Sequence, residues 1–417
     1  MAMATLKTTN LRNRIDDTKK RIAKLFIDQC QNGAQTKCLE SYKAAACGQF
    51  IGGNAKNSKQ RGLHGTAAAL RVLAETDSAD SRTLIPKIIT YLEKREEIEV
   101  SLQKEKARQK CNLDEKNTIK ISEVLYALSL VGHGIQSTEP LVQKIAERLI
   151  QSMKERKGWS YFVDDVDPPQ LLPTAYAILG LSANGYPQAE GASEYLAEVL
   201  KGRYVEKKTD RNEIDADVIV DVACLYAITF AKVHIQNDFL KTVLKSIWQK
   251  LKPLLGEPLE QNIEYSYKRQ QNCYVRVPWQ LYLIALSTHY DFNWAFSSST
   301  VQKTLKNILD KAQYAGLIYP HSGKMTSART NAILFEVLSI LEDKLAHKNI
   351  FWLCEVKEAI IGFFRHKYTR RVSGVLFLVL TVIVVLKWCL GTGKVTDLGQ
   401  EIVGAIWVGL LLTSLKK

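Results

Sequence analysis

The sequence GWSYFVDDVDPPQLLPTAYAILGLSANG, residues 158–185, holds one complete structural unit. It begins with a Gly-Trp-x-Tyr turn at Gly158, crosses an acidic run, and passes through prolines into an apolar stretch that starts at Pro173. The apolar stretch has no polar face, which is typical of a helix buried on several sides. The unit therefore predicts a loop that leads into a buried helix.

Similar apolar helices recur along the chain and indicate an internal repeat. Their predicted first residues are His64, Ile121, Pro173, Asp217, Pro278 and Arg329, at separations of 57, 52, 44, 61 and 51 residues. Amphipathic helices rich in Lys and Glu lie between them, for example at residues 83–110 and 138–156. This alternation predicts an all-α closed double ring of six inner and about six outer helices, with the N-terminal helix closing it. An open solenoid is the alternative.

The pairing of Gly158-Trp159-Ser160-Tyr161 with Pro173-Thr174-Ala175 resembles the repeat of a known superfamily. In the α/α-toroid superfamily of protein prenyltransferases and terpene (squalene-type) cyclases, a G-W-x-Y/F turn leads into a P-T-A inner helix. Weaker copies are Gly316-Leu317-Ile318-Tyr319 and Tyr265-Ser266-Tyr267. The resemblance implies an (α/α)6 toroid at residues 51–347, closed by residues 1–50. It also implies an apolar funnel with the N-terminal ends of the inner helices around its mouth.

The cyclases of this superfamily use a D-x-D-D motif, which this chain matches in part. Asp215-Ala216-Asp217-Val218 has three of the four positions at the start of the fourth inner helix. The resemblance would make Asp217 the general acid and Asp215 its supporting partner, and Asp221 could replace the missing aspartate only loosely. A catalytic acid of this kind must stay protonated in a dry pocket. The favoured interpretation is that these carboxylates cap the helix.

Metal chemistry is less well supported by the sequence. Asp164, Asp165 and Asp167 could hold a cation or Mg²⁺ diphosphate, but a Pro-rich loop is more often solvated. Zinc-dependent prenyl transfer needs an Asp-x-Cys and a distant His in the late repeats, whereas Asp28-Gln29-Cys30 lies on the N-terminal helix. We expect no metal and no cofactor.

Two further groups of residues are candidate ligand contacts. His64 and Arg329 could contact an anionic ligand together with His321 and Lys324, although such residues often cap loops or pair with acids. Aromatic residues could line a lipid-accepting funnel, although they pack in cores by default. The aromatic candidates are Trp159, Tyr161, Trp279, Tyr282 and Tyr319.

The C-terminal sequence predicts a membrane hairpin at residues 372–417. Residues 372–386 carry no charge and extend to about 19 residues if Lys387 snorkels, which approaches the thickness of a bilayer core. Residues 402–415 form a shorter apolar run, with an interfacial or re-entrant helix as the alternative. A basic juxtamembrane helix, residues 348–371, precedes the hairpin. Its RHKYTRR sequence and the terminal lysines predict cytoplasmic flanks, hence a cytoplasmic toroid at the inner or plasma membrane.

Composition limits the classes of partner and of cellular compartment that remain. The net charge of +14 and pI of about 9.2 come from scattered Lys and Arg, so we expect no nucleic-acid partner. Eight cysteines without paired spacing predict reduced thiols in a cytosolic protein.

Two functions fit this organisation. The first is a membrane-anchored, non-catalytic toroid that binds a ligand or protein in the cytosol and signals to the hairpin. By architectural analogy with bacterial defence effectors, including antiviral ones, its hairpins would form homo-oligomers and perturb the membrane. Glycines in the hairpin would allow such close packing. The alternative is a membrane-bound class II terpene or isoprenoid cyclase-like enzyme that uses Asp217.

Overall fold

A computed structural model describes most of the N-terminal 347 residues. The described residues are 2–34, 37–48, 50–51, 62–95, 98, 116–131, 139–155, 157–205, 216–231, 235, 237–251, 261–267, 271–290, 304–310, 320–321 and 325–347. The chain divides into a unit at Met1–Phe351 and a second at Trp352–Lys417, and the second lies outside the described residues.

The described part of the chain is mainly helical, which confirms the predicted all-α class. The helices are α1 (Ala2–Ala34), α2 (Lys37–Ser41), α3 (Leu63–Ala74), α4 (Ala79–Glu93), α5 (Thr118–Leu130), α6 (Glu139–Gln151), α7 (Leu171–Ala183), α8 (Gln188–Tyr204), α9 (Ala216–Phe230), α10 (Asn237–Leu251), α11 (Trp279–His289) and α12 (Ala328–His347), and residues 304–310 are also helical. Short strands join them: β1 (Phe50–Ile51), β2 (Gln261–Tyr267), β3 (Gln271–Val277), β4 (Pro320–His321) and β5 (Met325–Ser327). The antiparallel sheets are the hairpin β2-β3 and a sheet in the order β1-β5-β4.

Six apolar helices contact one another in cyclic order. Helix α3 packs on α5, α5 on α7, α7 on α9, α9 on α11, α11 on α12, and α12 returns to α3. We call these six the inner helices. Helices α4, α6, α8 and α10 pack on α3, α5, α7 and α9 respectively, and we call them the outer helices. Helix α1 contacts both α3 and α12, so it covers the junction of the first and last inner helices.

Local hydrogen bonds explain why residues 158–185 form a loop and a buried helix. Trp159 is fully buried, its indole Nε1 donates to the Leu149 carbonyl at 2.7 Å, and its backbone N–H donates to Thr174 Oγ1 at 3.0 Å. A side chain at Gly158 would meet Thr174 Oγ1, so glycine is required there. The Gly-Trp turn is thus bonded to the first turn of α7.

The C-terminal end of α7 is a Schellman motif built on Gly185. Gly185 has a φ of +78°, a left-handed conformation that glycine adopts without steric cost. Its N–H donates to the Ser182 carbonyl and the Tyr186 N–H donates to the Leu181 carbonyl, both at 3.0 Å. The turn leads directly into the outer helix α8.

Two cysteines that the sequence predicted to be reduced form a disulfide. Cys30 of α1 and Cys47 are both buried, and their Cα atoms lie 5.1 Å apart. The prediction was wrong for this pair because it rested on spacing along the chain, whereas the packing of α1 against α3 brings the two residues together. Cys224 is free and buried.

No helix in the described part of the chain is long and apolar enough to cross a membrane. The predicted juxtamembrane helix at 348–371 and the apolar runs at 372–386 and 402–415 lie outside the described residues.

The close approach of α3 to residues 47–48 yields a stability prediction. A methyl group at Gly65 would collide with the backbone carbonyl of Gly48, and backbone cannot rotate away as a side chain can. We expect Gly65→Ala to lower the free energy of unfolding by about 1–3 kcal/mol in chemical denaturation. Gly202 of α8 is the matched control, since a methyl group there meets nothing within 4 Å. Gly202→Ala should be neutral or stabilising by about 0.5–1 kcal/mol. Equal losses in both variants would contradict this packing.

Candidate functional site

A small cavity lies among the inner helices. The space that a water-sized sphere can enter is about 10 Å³, enough for roughly one water molecule. The residues that line it come from α3, α5, α7, α9 and α11: Arg71, Ser122, Glu123, Tyr126, Tyr176, Leu179, Tyr226 and Tyr282. Charged and phenolic side chains thus line the cavity, although the helices that carry them are otherwise apolar.

One buried ion pair joins the first and last inner helices at the cavity. Arg71 of α3 and Glu336 of α12 are each the ninth residue of their helix. Arg71 Nε donates to Glu336 Oε1 at 2.6 Å and Nη2 donates to Oε2, while both side chains are 6% exposed. The guanidinium also lies over the Tyr126 ring, 5.0 Å from its centre. A bidentate pair of this kind fixes the register of two helices.

A second group of charges lies closer to the N-terminal ends of the inner helices. Glu123 of α5 is 4% exposed, accepts a hydrogen bond from His64 of α3 and forms an ion pair with Arg329 of α12. Arg329 also donates to the hydroxyl of Tyr176 and lies over its ring, 4.7 Å from the centre. The Tyr176 and Tyr282 hydroxyls are 2.7 Å apart and share a hydrogen bond. We call His64, Glu123, Arg329, Tyr176 and Tyr282 the mouth cluster.

Burial and pairing set the protonation of the mouth cluster. Burial would raise the pKa of Glu123, but the charge of Arg329 and the hydrogen bond from His64 outweigh it and hold the pKa at about 2. Burial lowers the pKa of His64 more than Glu123 raises it, so the imidazole is neutral at neutral pH. Burial also raises the pKa of Tyr176 and of Tyr282.

The charges around the cavity therefore cancel. Arg71 and Arg329 supply two positive charges, Glu123 and Glu336 supply two negative charges, and each guanidinium faces one carboxylate. Neutral His64 bonds to Glu123 through Nδ1, so Nε2 is the nitrogen that can accept a proton or contact a ligand. His64 retains 17% exposure of its side chain, which makes it the most accessible charged or titratable member of the mouth cluster.

The predicted aspartates of the fourth inner helix do not form one described site. Asp215 lies outside the described residues, and Asp217 is in the first turn of α9 but its side chain is not described. Asp221 is 1% exposed, and Tyr204 OH and Arg203 Nη1 of the outer helix α8 donate to it at 2.8 and 2.6 Å. These bonds fasten α9 to α8.

The acidic loop uses its carboxylates locally. Asp164 forms an ion pair of 2.6 Å with Lys116. Asp165 Oδ1 accepts from the backbone N–H groups of Val166 and Asp167, which closes the turn. Ser160 donates to the Asp167 carbonyl at 2.7 Å. Among the described residues, no group of three His, Cys, Asp or Glu side chains could hold a metal ion.

The remaining candidates occupy several environments. Trp159, Tyr161 and Trp279 are buried, and Tyr282 lines the cavity. Tyr319 and Lys324 lie outside the described residues, and His321 lies in β4 without a described side chain. His64 and Arg329, which the sequence offered either as contacts of an anionic ligand or as partners of nearby acids, both contact Glu123.

Sequence reasoning missed most of the polar residues in the centre. Arg71, Glu123 and Glu336 each interrupt an apolar inner helix: HGTAAALRVLAE, ISEVLYALSLVGHG and RTNAILFEVLSILE respectively. A charge inside a helix that is apolar on every side must be paired, because an isolated buried charge is too costly. That signal was available, but it does not say which residues pair.

Comparison with known proteins assigns no family to the chain. No family model matches the chain, and no curated protein or solved structure matches it.

The low pKa of Glu123 predicts a pH-dependent stability. A carboxylate whose folded-state pKa is lowered stabilises the fold above its ordinary pKa of 4.5 and loses that contribution as pH falls toward 2. The groups that act on it are His64, Arg329 and Arg71. We therefore expect Glu123→Gln to be less stable than wild type by about 3 kcal/mol at pH 5, with the difference shrinking toward pH 2.

Denaturant unfolding at several pH values measures this difference. The control is Asp164→Asn, because its ion pair with Lys116 is about half exposed and contributes little, about 0–1 kcal/mol. A constant deficit of Glu123→Gln from pH 5 to pH 2 would contradict the electrostatic origin.

Proposed function

We propose that the inner and outer helices form an (α/α)6 toroid that is non-catalytic and signals to a C-terminal transmembrane hairpin. In this proposal the toroid lies in the cytoplasm, binds a ligand or protein, and is anchored by residues 372–417. The observation that carries it is the neutral network of Arg71, Glu336, Arg329 and Glu123 in the centre of the inner helices.

The cavity supports a binding role more than a cyclising one. A cyclase must enclose a long hydrocarbon in an apolar funnel, whereas the described cavity has room for about one water molecule. The charged residues of its lining, Arg71 and Glu123, are paired with Glu336 and Arg329, so these groups are already used in holding the helices together. The bonds of Asp221 to Arg203 and Tyr204 also support this view, since they leave the partial D-x-D-D motif without its substitute acid.

The effector part of the proposal rests on the C-terminal sequence. Two apolar runs, flanked by RHKYTRR and by terminal lysines, fit a hairpin with both ends in the cytoplasm. Glycines at 391, 393, 399, 404 and 409 would allow close helix packing in a homo-oligomer. Such an assembly would perturb the membrane, as hairpins of bacterial defence effectors do.

A cyclase-like enzyme is the second candidate, and one observation favours it. Four tyrosines, at 126, 176, 226 and 282, line the cavity, and aromatic faces stabilise cations. Asp217 at the start of α9 would be its acid.

Membrane potential tests the effector role. We expect bacterial cells that express the full chain, with or without phage challenge, to lose membrane potential in a voltage-sensitive dye assay. Cells expressing residues 1–371 should keep it, because that chain lacks the apolar hairpin. Equal expression of both chains on immunoblots is the control. A potential that stays unchanged in every condition would count against the effector.

Lipid analysis tests the enzyme. Under our proposal, cells expressing wild type and cells expressing Asp217→Asn contain the same isoprenoid products, and the substitution leaves the membrane effect intact. A new product that depends on Asp217 and persists in Asp164→Asn would establish the cyclase instead.

A further inference from the structure

Three ion pairs fasten α12 along its length, each to a different helix. Arg329 pairs with Glu123 of α5, Glu336 with Arg71 of α3, and Glu342 with Lys19 of α1 at 2.8 Å. Within the helix these residues are the second, ninth and fifteenth. The first two pairs are buried, and the third is partly exposed, at 28% for Glu342 and 20% for Lys19.

The other inner helices are joined differently in the part of the chain that the structure describes. Helices α7 and α11 share a bond between the hydroxyls of Tyr176 and Tyr282. Thr229 of α9 bonds to Tyr290, the residue after α11. The described ion pair of α9 connects Asp221 to the outer helix α8. Ion pairs between inner helices are therefore concentrated on α3, α5 and α12.

Further polar contacts reinforce the junction between α3 and α12. Ser339 of α12 donates to Glu75, the residue after α3, at 2.8 Å. Strand β5, which leads into α12, pairs with β1 through Phe50 and Ile51. Lys19 of α1 also lies 5.1 Å from the centre of the Phe335 ring. We call this junction of α3, α12 and α1 the seam.

We propose that α12 is an ion-pair latch that closes the ring at the seam, and that its release is the step that carries a binding event to the C-terminal unit. This inference rests on the proposed function for its output. Helix α12 is the last inner helix, and from His347 the chain continues into the unit that begins at Trp352. In this proposal, a displacement of α12 acts on the chain that follows it.

The physics of buried charges suits a latch. A buried ion pair contributes little net stability relative to apolar packing, yet removal of one partner is strongly destabilising because the other charge is left uncompensated. Apolar contacts weaken gradually when helices slide, whereas paired charges have one favourable register. A ligand that competes for His64 or Arg329 at the mouth cluster would disturb the ion pair of Arg329 and Glu123. With that pair broken, the release of α12 from the seam would be favoured.

Hydrogen exchange on the purified full chain in detergent tests the latch. The variant Glu336→Gln keeps the shape of the side chain and leaves Arg71 without its counter-charge. Asp221→Asn is the control, since it breaks an ion pair on another inner helix, a single contact with Arg203, which is 26% exposed. We expect Glu336→Gln to speed amide exchange in α12 by about 10- to 100-fold over α7 and α9. The double variant Arg71→Met/Glu336→Leu removes both charges and should restore much of the protection of α12.

The outcomes separate the latch from the proposed output. Equal acceleration in all inner helices of Glu336→Gln would overturn the latch, because α12 would then open only with the whole ring. Faster exchange of α12 in Asp221→Asn would overturn it too. If exchange is selective for α12 while Glu336→Gln leaves membrane potential unchanged with and without phage challenge, the latch stands and the membrane output fails. Selective exchange in Glu336→Gln, together with a greater loss of potential than the wild-type chain causes in the same cells, supports both.

Discussion

The pair of Arg71 and Glu336 is the constraint on which the closed order of helices depends. It joins the first inner helix to the last across 265 residues of sequence and is bidentate and buried. A ring of helices has one interface that chain connectivity does not help to form. At that interface, apolar packing alone would allow neighbouring registers, whereas the fork of a guanidinium matches a carboxylate in a single arrangement.

The cost of burying these charges explains what surrounds them. Each guanidinium also lies over a tyrosine ring, Arg71 over Tyr126 and Arg329 over Tyr176, so the cations receive partial compensation besides the carboxylates. The Tyr176 hydroxyl accepts from Arg329 and is bonded to Tyr282 in turn. The tyrosines therefore have a structural role, since they replace water around the paired charges.

The sequence was sufficient for the buried helices, but it predicted neither the strands, such as the β2-β3 hairpin, nor the partners of the charged residues. Periodic apolar helices and the Gly158–Trp159 turn could be predicted because each depends on neighbouring residues, such as Thr174 for the turn. Glu123 was not predicted as the common partner of His64 and Arg329, and the disulfide of Cys30 and Cys47 was not predicted either. Both depend on contacts between different helices, and apolar periodicity does not indicate which helices come into contact. His64 and Arg329 both stand in the first turns of inner helices, α3 and α12, and both contact Glu123.

The electrostatics of the centre also favour binding over cation chemistry. A cyclase acid must stay protonated, and its funnel must tolerate a carbocation. Arg329 instead holds the pKa of Glu123 at about 2, so a carboxyl group brought near the mouth cluster would be ionised. The two guanidinium groups beside the cavity are each paired with a carboxylate, so these paired charges offer a carbocation no net stabilisation. An anionic group that replaces Glu123 would instead be stabilised, since Arg329 would pair with it and His64 would donate a hydrogen bond to it. Under our proposal, the same arrangement would give an anionic ligand a chemically defined place to bind.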